Sequence, residues 1–462
     1  MLAARFGRSL VDHRTWLLAG PTELVAGGAL EAAAIAGAAP LNRLIVVAHV
    51  PATQVSRLAA FAAMGWAVRR LRSGDETAFE TALAAAQRAQ KPTLIACQIF
   101  LPTDQPGQPP APLAEPTLDP VRLRAAGARR AWLKRLRRHA NAENFTRAQT
   151  GRSPGTGLEA LASLPDPGAV SPAAAVQAAL RHLTPAWPDL AGLSPDGHFA
   201  LPPASLTGRA VAWGERALAT VAGLLGMALH GGVLPIAELS CESAETALPA
   251  LRVAAAASLR TVHIVPEVAA VAAPLLAAWR ALPAARLFRP ADAAEAVECL
   301  SLALRHLAAP SVLLLTENLA APLPNAPPRA AARGAYLLHD PPRRDITLIA
   351  GGSDIRLALA VRLTLAESGI AAACVSLPCW QLFAAQESAY RQHVLGTAPR
   401  VGLEAGDGLG WETLLGSDGT FIDTSSAPDR AGIAAALLRR LARASTDLKI
   451  SHTTLGTDGK FD

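Results

Sequence analysis

GAYLLHDPPRRDITLIAGGSDIRLALAVRLTLAESGIAAACVSLPCWQLFAAQESAYRQHVL, residues 334–395, decides the fold class. Ile346 to Ala350 is a short continuous apolar run, and Gly351-Gly352 breaks it. A long amphipathic stretch comes next, and AAACVSL is a second apolar run ending at Pro378. Strand, glycine turn, helix, strand is the βαβ unit of a parallel sheet, whose strands are buried on both faces and so read as unbroken apolar runs.

The same alternation fills Thr15 to Phe100. WLLAG, LIVVAHV, WAVRRL and TLIACQIF are separated by helical stretches, among them Glu76 to Ala89. It returns from Leu201 to Leu319, with a helix over 209–229, strands at 233–237, 260–265 and 311–315, and helices near 243–257, 267–280 and 291–308. A chain of 462 residues has room for roughly three domains of about 150 residues. Between the blocks lie two Pro-rich tracts, 102–120 and 154–203, which read as linkers around a basic helix at Arg129 to Thr150. The tail from Ser445 is polar and reads as frayed.

Charge is local. The net charge is +6, yet Arg122 to Arg152 carries ten Lys/Arg against the single acid Glu143, so the remainder of the chain is acidic. Trp132 and Leu136 lie one helical turn apart, which predicts one packed stripe and a solvated basic face. The alternative is a polyanion-binding surface built from Arg129, Arg130, Lys134, Arg135, Arg137 and Arg138.

Five cysteines, at 97, 241, 299, 374 and 379, form no CxxC pair and no zinc spacing. Their odd number argues against a disulfide framework, and the cytoplasm is the expected compartment. The start has no apolar signal core. Ala217 to Ala237 is uncharged, but His230, Gly231-Gly232 and Pro235 interrupt it, so a buried helix and strand are expected rather than a membrane span.

Gly334 to Tyr336, Gly352 to Asp354, Val375 to Pro378, Phe383, Gln386 and Ala389 to Arg391 stand in the order of the C-terminal domain of transketolase, which the stretch resembles. Val11-Asp12-His13, Ile35-Ala36-Gly37, Leu41 to Ile45, Gly65-Trp66 and Lys91 to Leu94 resemble the family's diphosphate-binding domain. Trp213-Gly214, Arg216, Leu229 to Gly232, Leu234-Pro235, Arg289 to Ala294 and Asn318 to Ala320 resemble its pyrimidine-binding domain. The resemblance implies successive parallel-sheet α/β domains of the thiamine diphosphate-binding and transketolase C-terminal type. The expected limits are a partial diphosphate-binding-like domain at 1–105, a linker with the basic helix at 106–200, a pyrimidine-binding-like domain at 201–325, a C-terminal-like domain at 326–445 and a tail at 446–462. The resemblance starts at the first residue, and the family's preceding region, with its histidines and Gly-rich cofactor loop, has no counterpart, so truncation is expected.

The family holds thiamine diphosphate through a divalent metal bound by hard oxygens, an Asp in a Gly-Asp-Gly turn and an Asn after the next strand. Aligned on Ile35-Ala36-Gly37, the turn falls on Gly20, Pro21 and Thr22 and the Asn on Pro51. Proline offers no side-chain oxygen and no N–H; Glu23 and His49 are the neighbours that remain. The family's ring-activating glutamate falls on Ala217, its His-Asp-Ser segment on Val265-Pro266-Glu267, and its phosphate arginine on Thr316. No aromatic platform follows Pro235. His230 remains as a catalytic candidate, with a structural role as its alternative. Gly351-Gly352-Ser353 opening a helix is a candidate phosphate loop without GxGxxG or lysine.

The expectation is therefore a transketolase-like protein that has lost thiamine diphosphate, metal and catalysis, serving as a non-catalytic partner or relic. It would form a homodimer, or a heterodimer with a family chain. The alternative is an active transketolase, moving a two-carbon ketol unit between sugar phosphates with thiamine diphosphate and Mg, with a separate N-terminal chain supplying what is missing.

Overall fold

The computed structural model describes the chain except residues 1, 21, 40, 52–55, 73, 100–114, 152–157, 159–160, 162–167, 195–209, 213–215, 268, 307–308, 426–428, 430 and 442–462. Pro21, Trp213, Gly214, Glu215, most of the first Pro-rich tract and the tail thus lie outside the described residues. Two compact units are formed, one from 1–152, 193–198 and 203–233, the other from the remaining segments.

In the first unit β1 (Thr15–Ala19), β2 (Leu44–Pro51), β3 (Ala67–Arg72) and β4 (Thr93–Ile99) make a parallel sheet in the order β1-β2-β4-β3. Alternate residues of β2 and β4 face opposite ways. Val46, Ala48, Leu94 and Ala96 pack with Phe61 and Trp66, while Ile45, Val47 and Ile95 pack with Ala82 and Ala86 of the helix Glu76–Arg88. That helix starts where it does because the Asp75 carboxylate accepts from Ala78 N at 2.9 Å. Gly37 is required by crowding: a Cβ there would lie 1.7 Å from the Met64 carbonyl oxygen. Strand β1, on the sheet edge, leaves Trp16, Leu17 and Leu18 at 44%, 50% and 80% exposure.

The basic segment forms two helices rather than the expected one, Glu115–Arg137 and Ala142–Gln149. Arg138 N and His139 N bond three residues back, at 3.1 and 3.0 Å, and this tightened turn ends the first helix. Trp132 donates its indole N–H to Leu10 O at 2.9 Å, and Phe145 packs edge-on against Phe6. The predicted apolar stripe is therefore the packed one.

Strand β5 (Leu190–Ser194) runs from the second unit into the first, and β6 (Ala210–Ala212) belongs to the first. The helix expected over 209–229 begins only at Ala217 and runs to His230, because 210–212 are extended. The second Pro-rich tract is not wholly linker: it contains the buried helix Pro172–Ala186 as well as β5. Ser171 caps that helix by accepting from Ala174 N at 3.1 Å, and Pro172 occupies a first-turn position where its missing N–H costs nothing.

In the second unit β7 (Leu234–Glu238), β8 (Val262–Pro266), β9 (Arg286–Phe288) and β10 (Ser311–Leu315) pair in the order β5-β7-β8-β10-β9. The remaining strands are β11 (Tyr336–His339), β12 (Ile346–Ala350), β13 (Ala372–Ser376), β14 (Arg400–Glu404) and β15 (Thr420–Asp423), ordered β11-β13-β12-β14-β15. All are parallel except β11, which is antiparallel to β13. Leu348 joins Val361 and Leu365 on one face, and Ile349 joins Phe383 and Trp411 on the other. Burial on both faces is what the apolar runs predict. Among the described residues no helix is long and apolar enough to cross a membrane.

Candidate functional site

The carboxyl ends of adjacent parallel strands are where an open α/β sheet binds ligands. Strands β1 and β2 are paired neighbours, with Ala19 opposite Ala48, so Gly20, Thr22 and Pro51 lie at one end of the sheet. Pro51 is the last residue of β2 and pairs with Ile99. Glu23, the nearby carboxylate, is folded back on its own turn, accepting from Gly20 N at 2.7 Å. His49 is exposed on β2. Among the described residues no group of three His, Cys, Asp or Glu is placed to hold a metal ion.

Ala217 opens the helix Ala217–His230. A carboxylate does reach that helix end, though from elsewhere: Glu31 accepts from Ala219 N at 3.1 Å. The positive end of the helix favours it there. Only a fold places Glu31 beside Ala219, 188 residues on, and no local signal in the sequence marks it.

His230 meets His13, each taken from a different family segment. Their Nε2 atoms are 3.0 Å apart and their rings stacked at 5.0 Å. One ring must donate and the other accept, so the pair is stable with at least one ring neutral. Burial, then the charges of His230 and Arg43, lowers the His13 pKa below its ordinary value. Asp12, whose pKa the Arg43 guanidinium lowers, bonds that guanidinium at 2.6 Å.

The second unit holds a buried ionic cluster that joins its two sheets. Arg289 donates to Glu267 (2.5 and 3.1 Å), to Asp354 (3.0 Å) and to Glu404. Arg280 grips Glu404 with two bonds of 2.7 and 2.6 Å, and Trp411 Nε1 donates to Glu404 at 2.8 Å. Burial alone would lower the Arg289 pKa, but the three carboxylates outweigh it and raise it. Burial likewise works to raise Glu404, and Arg289 and Arg280 bring it below the ordinary carboxylate value. The Gly351-Gly352-Ser353 turn belongs to this cluster. Gly352 N donates to Arg289 O at 2.8 Å, and a Cβ on Gly352 would come 2.6 Å from Glu267 Oε1. The protein's own carboxylate thus takes the place beside this turn that a phosphate loop would leave open.

Nearby, Glu295 accepts from Ala291 N, Tyr336 OH and Ser376 OH at 2.6, 2.9 and 2.9 Å, and burial pushes its pKa up to about 7. Thr316, at the family's arginine position, is buried and accepts from Asn318 N at 3.2 Å. None of the five cysteines is joined in a disulfide; Cys241, Cys299, Cys374 and Cys379 are buried.

Successive parallel α/β sheets of this order define an α/β chain of the thiamine diphosphate-binding architecture. Residues 1–109 match the family model described as the transketolase thiamine diphosphate binding domain, and residues 334–426 the one described as the transketolase-like C-terminal domain. The transketolase of Cereibacter sphaeroides is 32% identical over 91% of this chain and 74% of its own. The chromosomal transketolase of Cupriavidus necator is 32% identical over 93% of this chain and 76% of its own. Transketolase from Leishmania mexicana superposes with a TM-score of 0.83 at 25% identity, covering 96% of this chain and 76% of that one. This chain belongs to the transketolase family. The match to a thiamine diphosphate binding domain runs against the expectation that no cofactor is bound.

Proposed function

We propose that this transketolase-family chain does not hold thiamine diphosphate with its metal, transfers no ketol group, and acts as a non-catalytic partner in a homodimer or beside another family chain. The observation that carries this reading is the donor set at the ends of β1 and β2. A divalent ion bridging a diphosphate needs hard oxygen ligands around a near-octahedral centre. Here the second strand ends in Pro51, and Glu23 is engaged with Gly20 N. Ala217 has no group to polarise an aminopyrimidine, and the Glu31 carboxylate is committed to the backbone of Ala219. These residues do not fit the group, so no catalytic step is derived through it. Titration calorimetry with thiamine diphosphate and Mg tests the reading; dissociation constants in the micromolar range would sink it.

A second reading is favoured by one observation, the 32% identity to proteins named transketolase across nine-tenths of the chain. On it the chain is an active transketolase that moves a two-carbon ketol unit between sugar phosphates. A coupled assay with xylulose 5-phosphate and ribose 5-phosphate, run with and without an added N-terminal family fragment, decides it. Turnover in either arm replaces the first reading with the second.

A further inference from the structure

The helix Glu115–Arg137 has one packed stripe and one that the fold does not use. Trp132 and Leu136 turn toward Phe6, Leu10 and Phe145. On the surface, Arg130, Lys134, Arg137 and Arg138 surround Leu133 in a depression of about 500 Å3 with no acidic residue in its lining. All four cations are exposed, and among the described residues none of them forms an ion pair. Arg124, Arg129 and Arg135 are exposed on the same helix. Four unneutralised cations within about two and a half turns repel one another, a cost the fold carries without an internal counter-charge.

We infer that this face binds the phosphate backbone of double-stranded nucleic acid without reading its sequence. Four arguments select that partner. An exposed ion pair contributes little on its own, so a small anion would be held loosely, whereas a polymer engaging several cations gains from counterion release at each. From Arg124 to Arg138 the chain rises about 21 Å at 1.5 Å per residue, a length over which a duplex presents roughly twelve phosphates. Arginine dominates the face, and its planar fork matches phosphate. The helix's only aromatic residue, Trp132, is turned inward and bonded to Leu10 O, so no platform is offered for stacking unpaired bases. That favours a duplex over a single strand. The inference is independent of whether the chain is catalytic.

Fluorescence anisotropy with a labelled 20-base-pair duplex of mixed sequence, titrated across a sodium chloride series, tests it. The expected log–log slope is about −3 to −4, from roughly −0.9 for each of four contacted phosphates. Arg130→Glu/Lys134→Glu/Arg137→Glu is expected to weaken binding at least tenfold with an unchanged circular dichroism spectrum, and a second duplex sequence to bind within twofold of the first. Arg69→Glu/Arg72→Glu, on exposed positions of β3, is expected to leave binding unchanged. The inference is overturned by no binding at 50 mM salt, by a triple variant within twofold of the parent, or by an equal loss in the β3 variant. Displacement by polyglutamate at equal charge concentration overturns the assignment to phosphate.

Discussion

The substitution Arg289→Met removes the guanidinium from the buried ionic cluster while keeping much of its volume. In the parent, two guanidinium groups serve three carboxylates; after the change only Arg280 remains, and its partner is Glu404. Their fates differ. Glu404 keeps Arg280 and Trp411, and Asp354 keeps the Thr424 hydroxyl at 2.8 Å. Glu267, only 4% exposed, loses all its Arg289 bonds, and its Oε2 has no hydrogen-bond partner even with Arg289 in place. Removing one member of a buried pair costs about 3–5 kcal/mol, a large share of the roughly 5–15 kcal/mol that holds a domain folded. The deficit must also depend on pH. In the variant Glu267 is a buried carboxylate without its counter-charge, a penalty present while it is ionised at neutral pH and relieved when it takes up a proton in acid. In the parent, Glu404 has a lowered folded pKa, so its contribution is present above the unfolded value and lost as pH falls. Both effects narrow the gap in acid. Urea unfolding followed by near-ultraviolet circular dichroism at pH 8 and pH 5 measures it, and adding Glu267→Gln to Arg289→Met is expected to recover at least half the loss. A deficit below about 1 kcal/mol, or one equal at both pH values, would refute the argument.

The other expectations rest on separate features. Burial holds the His263 pKa down to about 3, and Nε2 lies 2.9 Å from the Thr261 hydroxyl oxygen. This group therefore stabilises fully above its unfolded pKa near 6.5, and loses up to about 1.4 kcal/mol per pH unit as pH falls toward 3. His263→Gln should flatten the melting-temperature profile between pH 6 and 4, and an unaltered profile would contradict it. Gly37→Ala should cost on the order of 3 kcal/mol through its clash with Met64 O, whereas Gly226→Ala, with nothing within 4 Å of its Cβ, should stabilise its helix by roughly 0.5–1 kcal/mol; paired thermal melts compare them. In a thiol-labelling time course on the folded protein, Cys97 should react first, since burial raises Cys374 to about 12 and Cys379 to about 11. Rapid loss of two or more thiols would contradict the packing.

The parts of the fold legible in the sequence are those whose signal is local. Strands β12 and β13 are five-residue apolar runs because both their faces are covered, and the turn between β12 and its helix needs Gly352 at φ +60°. The helix Pro172–Ala186 is hidden because its proline content reads as linker composition, although Pro172 and Pro185 sit in its first and last turns. Proline is tolerated in the first turn, where its missing N–H has no intrahelical partner to lose. The ionic cluster is hidden for another reason. Its members, at 267, 280, 289, 354 and 404, share no period and no spacing, so nothing short of the folded chain brings them together. Glu267 is the clearest case. Beside the family pattern it reads only as the place of a lost His-Asp-Ser segment; in the structure it is the partner of Arg289 and the carboxylate lying against Gly352. A glycine turn at a helix start attracts anions because its backbone dipoles are aligned. Here Glu267 lies against the turn, with Arg289 balancing its charge and accepting from Gly352 N through its own carbonyl, which gives the Gly-Gly-Ser turn a structural role that owes nothing to a bound phosphate.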